Sequence, residues 1–217
     1  MEKIILYHGS EKIIKKPVLT GGKISNDYGQ GFYCTKHLEL AKEWAVDDER
    51  PGFVNSYEID IDGLRILNLN SNDYSILHWL TVLLEHRNVN INSPIAQDGL
   101  DYLKNHYHVD LEDYDLILGY RADDSYFSFA RAFISNTISI AQLEKAMYLG
   151  ELGTQYFIKS EKAFSKLKFI EAIQVDNASY YPKKMSRDKS ARDSFYNISN
   201  TIDRDGVYLV DLMRREK

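Results

Sequence analysis

The chain has 217 residues, 44% of them hydrophobic, and a formal net charge of -5. That is enough chain for one large domain or a domain with an appendage, and the negative balance argues against a mainly electrostatic grip on nucleic acid or anionic lipid. Cys34 is the single cysteine, which excludes an intrachain disulfide framework and a cysteine-based zinc site.

The N-terminus is too poor in apolar residues for a signal peptide, and no run reaches the length of a membrane-spanning helix. A soluble cytoplasmic protein without membrane attachment is the expectation. Residues 3–7 read as a first strand that leads into His8-Gly9-Ser10. Such a strand end offers an imidazole, an open stretch of backbone and a hydroxyl. The plainer alternative is an ordinary strand-end histidine. Residues 15–26 read as loop, broken by Pro17, Gly21 and Gly22. In Gly29-Gln30-Gly31 either glycine allows positive φ or close approach of a ligand. Phe32 to Thr35 then reads as a strand, with Thr35 as the N-cap of a helix over 36–47. This segment delivers Tyr33 and Trp44 from adjacent elements, two flat rings suited to gripping a third between them.

Residues 54–61 alternate as a strand, Asp62-Gly63 makes a turn, and 64–69 reads as the partner strand. A broad apolar face predicts a helix over 71–87, and 95–106 reads as a second, shorter one. His78 with His86, and His106 with His108, lack a third ligand nearby, so no metal is expected. A buried strand over 114–120 ends in Arg121-Ala122-Asp123-Asp124-Ser125. Asp124 or Ser125 suits the cap of a helix over 126–135, and helix capping is the plain role for Asp123 and Asp124. A helix over 138–150, a strand over 154–159, a helical turn over 161–166 and a strand over 167–175 follow.

Composition shifts after Asn177. Lys183, Lys184, Arg187, Lys189 and Arg192 read as a solvated helix face, with a surface for an acidic target or nucleic acid as the alternative. The chain divides into a main domain, 1–176, and a C-terminal appendage, 177–217, helical or docked on the body. Strands scattered among helices without regular alternation favour α+β over a parallel α/β fold. The dinucleotide fingerprint is missing, because Cys34 stands where a third glycine is needed.

His8-Gly9-Ser10, then Gly29-Gln30-Gly31-Phe32-Tyr33, then Ala41 with Trp44, then Gln155-Tyr156-Phe157-Ile158 resemble, in this order, the ADP-ribosyltransferase superfamily. The likeness is to its histidine–tyrosine–glutamate branch. Residues 4–176 look closest to an uncharacterised bacterial family within it, which also carries the Asp-Tyr-Gly-x-Gly-Phe-Tyr and Ala-Asp-Asp segments. The resemblance implies an α+β fold with a split β-sheet core and flanking helices. It implies a mono-ADP-ribosyltransferase that uses NAD as co-substrate, without a metal, and modifies a macromolecular acceptor, as a bacterial toxin or modifier does. A neutralising partner protein belongs to the same analogy. By that resemblance His8, Gly9, Ser10, Tyr33, Ala41 and Trp44 bind NAD, and Gln155, Tyr33 and His8 are catalytic. His8 would bond the adenine-side ribose, Gly9 would hold the nicotinamide carboxamide, and Tyr33 would stack on the nicotinamide ring with Trp44 over its other face.

The departure is Gln155, where the better-known enzymes place a glutamate. Glutamine keeps an acceptor oxygen but loses the charge, and charge-assisted hydrogen bonds are roughly twice as strong as neutral ones. Glu151, Asp123 and Asp124 are candidate compensating acids. The alternatives are a catalytically weak or silent NAD-binding module, and an α+β protein with no nucleotide site.

Overall fold

A computed structural model describes residues 2–87, 91, 93–122 and 126–215. Its seven strands among these residues are β1 (Lys3–Ser10), β2 (Phe32–Thr35), β3 (Gly52–Asp60), β4 (Ile66–Asn68), β5 (Leu116–Tyr120), β6 (Thr154–Ile158) and β7 (Leu167–Val175). They form one sheet in the order β4-β5-β6-β2-β1-β3-β7. The β4/β5 pair is parallel and the others are antiparallel. The eight α-helices among these residues are α1 (Leu38–Ala45), α2 (Ile76–His86), α3 (Pro94–His106), α4 (Tyr126–Ile134), α5 (Ile140–Met147), α6 (Glu161–Ser165), α7 (Asn177–Ser199) and α8 (Leu209–Arg215). The fold is α+β. No helix among the described residues is long and apolar enough to cross a membrane.

Side chains alternate across a strand, and the cores follow that alternation. Tyr33, Ile117 and Phe157 point to one side, where α2, α3, α4 and α5 cover the sheet with Trp79, Leu80, Leu103, Phe129, Phe133 and Leu143. Phe32, Cys34, Leu116, Tyr156 and Ile158 point to the other, against Leu6, Tyr57, Ile59 and Ala163 of α6. A third, small cluster joins α1 to β3 and β7 through Ala41, Ala45, Val54 and Val175. Helix α2 is buried along nearly its whole length because its apolar residues run almost without interruption. Each such side chain contributes roughly 1.5–3 kcal/mol by leaving water.

Three sequence expectations need correction. The partner strand expected at 64–69 is β4, and it does not pair with β3. Both edges of β3 are taken, by β1 and β7, so β4 pairs at the far end of the sheet with β5. Their parallel pairing requires a long crossover, which α2 and α3 provide. Thr35 does not cap α1. His37 holds that position, and the Thr35 hydroxyl oxygen accepts the His37 N–H at 3.1 Å. His8, Gly9 and Ser10 lie within β1 rather than beyond it.

The C-terminal segment is helical and docked. Leu209 of α8 is buried in the main core, and Gly99 of α3 leaves room for it. The Gln142 amide of α5 donates to the carbonyls of Ile198 and Thr201, both at 2.7 Å. Helix α7 runs through Pro182 although proline there removes a backbone donor.

Gly9 sits where α1 crosses β1. A Cβ built on it would lie 2.2 Å from the Ala41 carbonyl oxygen. Gly9→Ala should therefore lower stability by ~1–3 kcal/mol through overpacking, read as a fall in the urea midpoint with an unchanged m-value.

Candidate functional site

The sheet narrows in its middle. β1 pairs with β3 over eight registered pairs and β2 with β6 over four, yet β1 and β2 share a single one, Tyr7 with Thr35. Just past that pair the His8 imidazole takes over, with Nδ1 2.7 Å from the Tyr33 carbonyl oxygen. A carbonyl only accepts, so Nδ1 carries the proton and Nε2 presents a lone pair. The ring leans on Phe32, with centroids 4.3 Å apart. Burial pulls the His8 pKa down; the Tyr33 carbonyl opposes this and Arg121 adds to it. The imidazole is thus held in its neutral form.

A cleft of about 680 Å³ opens at this junction. His8 from β1, Tyr33 from β2, Trp44 from α1 and Gln155 from β6 all line it. Gln155 lies in register with Thr35 on one side and Gly119 on the other. It is almost wholly buried, and its carboxamide oxygen has no hydrogen-bond partner among the described residues. The indole N–H of Trp44 is likewise buried and unpartnered. An unsatisfied buried polar group costs ~1–3 kcal/mol, which a ligand with the matching donor or acceptor would relieve.

The aromatic pair does not form an open clamp. Tyr33 rests on Phe157 with centroids 4.7 Å apart, and its hydroxyl donates to the Gly29 carbonyl at 2.6 Å while accepting the Tyr28 N–H. Burial raises the phenol pKa strongly, so Tyr33 serves as a neutral ring and not as a base. Gly29 provides the positive φ this loop needs, at 89°. Trp44 carries the Arg121 guanidinium on its face, 3.4 Å from the ring centroid. A flat ligand ring would take that face of Trp44 only by displacing the cation.

Other expected site residues lie elsewhere. Ala41 is fully buried on the face of α1 that packs on the sheet, and neither it nor Gly9 nor Ser10 lines the cleft. The Ser10 hydroxyl donates to the Lys12 carbonyl and accepts from the Asn55 amide. Glu151 is exposed with φ of 48°, and it lines a smaller neighbouring cavity of about 230 Å³ with Tyr120, Tyr148 and Thr154. Asp123 and Asp124, as well as the capping role given to Ser125, fall outside the described residues.

The structure adds charged residues to which the sequence reading gave no site role. Asp27 is buried and joins three segments around the cleft. One of its oxygens accepts from Arg87 Nε and Nη2 at 2.9 and 2.7 Å, and the other from the Ala122 N–H at 3.0 Å. Burial lifts the Asp27 pKa, with Arg87 and the Ala122 N–H pulling it back. Arg87 also lies over Phe127 at 4.5 Å. Across the cleft, Glu43 of α1 receives Arg187 of α7 on both oxygens, at 2.9 and 3.0 Å. Asp27 stands in the Asp-Tyr-Gly segment and was within reach of a sequence reading; Arg87, Arg121 and Arg187 have no spacing signal.

A family model described as a protein of unknown function (DUF3990) matches residues 4–169. The chain belongs to the DUF3990 family. No curated protein and no solved structure shows a significant match. The DUF3990 match takes in β1 to the start of β7, hence His8, Tyr33, Trp44 and Gln155, and stops before α7. Among the described residues no group of His, Cys, Asp and Glu gathers as a metal site.

Two outcomes test this geometry. Asp27→Asn removes the charge of the buried carboxylate from its ion pair with Arg87. Removing one partner of a buried pair costs ~3–5 kcal/mol, so the thermal midpoint should drop sharply. For His8, the folded pKa lies below the unfolded 6.5. Its contribution is present above 6.5 and is lost as pH falls from there through the folded value. Urea titrations at pH 7.5 and 5.0 should show a smaller loss on acidification in His8→Gln than in the wild type.

Proposed function

We propose that this protein binds NAD in the junction cleft and transfers its ADP-ribose to a macromolecular acceptor. The observation that carries this reading is convergence. An imidazole, a phenol and a carboxamide far apart in the chain meet in one cleft, beside Trp44. The cleft's volume falls inside the ~300–1,000 Å³ typical of small-molecule sites. The narrow junction between β1 and β2 suits the split sheet that the resemblance implies. The orphaned Gln155 oxygen and Trp44 N–H supply an acceptor and a donor for a ligand rich in hydroxyls and amides.

In that reaction the nicotinamide–ribose bond breaks with its electron pair on nicotinamide, and an acceptor nucleophile bonds to the ribose carbon and releases its proton to solvent. His8, neutral and fixed through Nδ1, presents Nε2 as an acceptor for a sugar hydroxyl. Tyr33, backed by Phe157, supplies a rigid apolar wall. Gln155 accepts a hydrogen bond from a sugar hydroxyl through its buried oxygen and thereby orients the sugar. It provides no charge opposite the positive charge that develops on the ribose.

That lack favours a second reading, an NAD-binding module with little or no turnover. The cleft's described carboxylates are each matched to a cation: Asp27 to Arg87, Glu43 to Arg187 and Asp188 to Arg192. None stands ready to replace the missing glutamate.

Calorimetry with NAD and a nicotinamide-release assay separate the readings. NAD should bind, with at least a tenfold loss in His8→Ala, which is ~1.4 kcal/mol. For the transferase, nicotinamide release should be measurable in the wild type and fall in Gln155→Ala. For the silent module, release is absent in the wild type and emerges in Gln155→Glu. No NAD binding at all removes both.

A further inference from the structure

Helix α7 begins at Asn177, beyond the end of the family match at residue 169. It nonetheless builds one wall of the cleft. Lys184, Met185, Arg187, Asp188, Ala191 and Arg192 line it. These positions follow i, i+1, i+3, i+4, i+7, i+8, one continuous stripe of an α-helix. A helix that packs on a protein body normally shows an apolar stripe at that spacing. Here the stripe holds three cations, and Ala191 is the only buried residue of α7. The polar inner face thus looks onto a cavity rather than a core.

The cations of this stripe are not equivalent. Arg187 is tied to both oxygens of Glu43 and to the Gly150 carbonyl at 2.8 Å. Arg192 pairs with Asp188 on its own helix, a partly exposed contact of little worth. Lys184 is half-buried, and its ammonium meets the neutral Val46 carbonyl at 3.2 Å and no carboxylate among the described residues. Arg121, on Trp44, brings a further positive charge into the same cleft. Among the described lining residues five are cationic and three acidic, although the whole chain carries a net charge of -5. A half-buried ammonium without a counter-charge, inside a cationic cleft of an acidic protein, calls for an anion. Arginine and lysine together are the usual pair for phosphate, one as a fork and one as a point charge.

We propose that the stripe of α7 is an anion subsite, in which Lys184 and Arg192, with Arg121, hold the phosphates of a phosphorylated nucleotide. The proposal rests on the junction cleft being a nucleotide site, and it adds that the segment beyond the family match selects diphosphates over nucleosides. Arg187, fixed by Glu43, sets the height of α7 above α1 and holds the subsite in place.

The test is calorimetry on the full chain with adenosine, ADP and NAD, for the wild type, Lys184→Gln and the double variant Lys184→Ala/Arg192→Ala, with circular dichroism as the folding control. ADP should bind the wild type at least tenfold more tightly than adenosine. That advantage should weaken with added salt, shrink in Lys184→Gln and vanish in the double variant. If the double variant does not fold, Lys184→Gln and the salt dependence decide. ADP binding no tighter than adenosine, or unchanged in the variants, overturns the proposal. NAD bound equally by wild type and variants also overturns it and leaves the NAD reading standing. ADP bound through α7 while NAD does not bind sustains the subsite and ends the NAD reading. No nucleotide bound by the wild type ends both.

Discussion

One hydrogen bond, from the His8 imidazole to the Tyr33 carbonyl, sets the geometry on which the candidate site depends. A continuous ladder between β1 and β2 would leave no opening there. With only Tyr7 and Thr35 in register, the strands need another tie where the ladder lapses. The imidazole provides it and costs the site little, because its second nitrogen stays available. Burial keeps the ring neutral, so the tie persists without bringing a charge into the interior. Gln155, held between Thr35 and Gly119, is placed at the same level of the sheet by ordinary strand register.

Around this junction the protein spends its strong electrostatic interactions on structure. Asp27 gathers the Arg87 guanidinium and the Ala122 N–H, and thereby fixes the end of α2 and the segment after β5 beside the loop before β2. Glu43 does the same for α1 and α7. Carboxylates engaged in this way hold walls in place rather than stabilise positive charge on a reacting sugar. Among the described residues, the side chains that line the cleft carry more positive than negative charge.

Much of the strand content was legible because β-branched and aromatic residues alternate cleanly. β7 spans the residues 167–175 read from the sequence. His8, Tyr33 and Gln155, singled out by their order in the sequence, all line the one cleft. The rest was hidden for physical reasons. A three-residue strand such as β4 cannot announce its partner, and the turn at Asp62-Gly63 mimicked a hairpin. Gly9 and Ala41 share a motif with the cleft residues, but their smallness serves the crossing of α1 over β1. Ionic residues such as Arg87, Arg121 and Arg187 have no periodicity to betray them, and their roles exist only through distant partners. In α7 the basic run read as a solvated face is split: Lys183 and Lys189 are exposed, whereas Lys184, Arg187 and Arg192 line the cleft.

The clasp between Glu43 and Arg187 has a bearing on where this protein ends as a physical unit. Glu43 is 4% exposed and belongs to the segment that the family shares, whereas Arg187 comes from sequence beyond it. A version of the chain cut at the family boundary would keep a carboxylate sealed in the interior with its guanidinium gone. Water would have to enter along α1 to solvate it, loosening the helix that crosses Gly9. Relatives that lack an α7 would then require a different residue at position 43, or another cation reaching it from elsewhere.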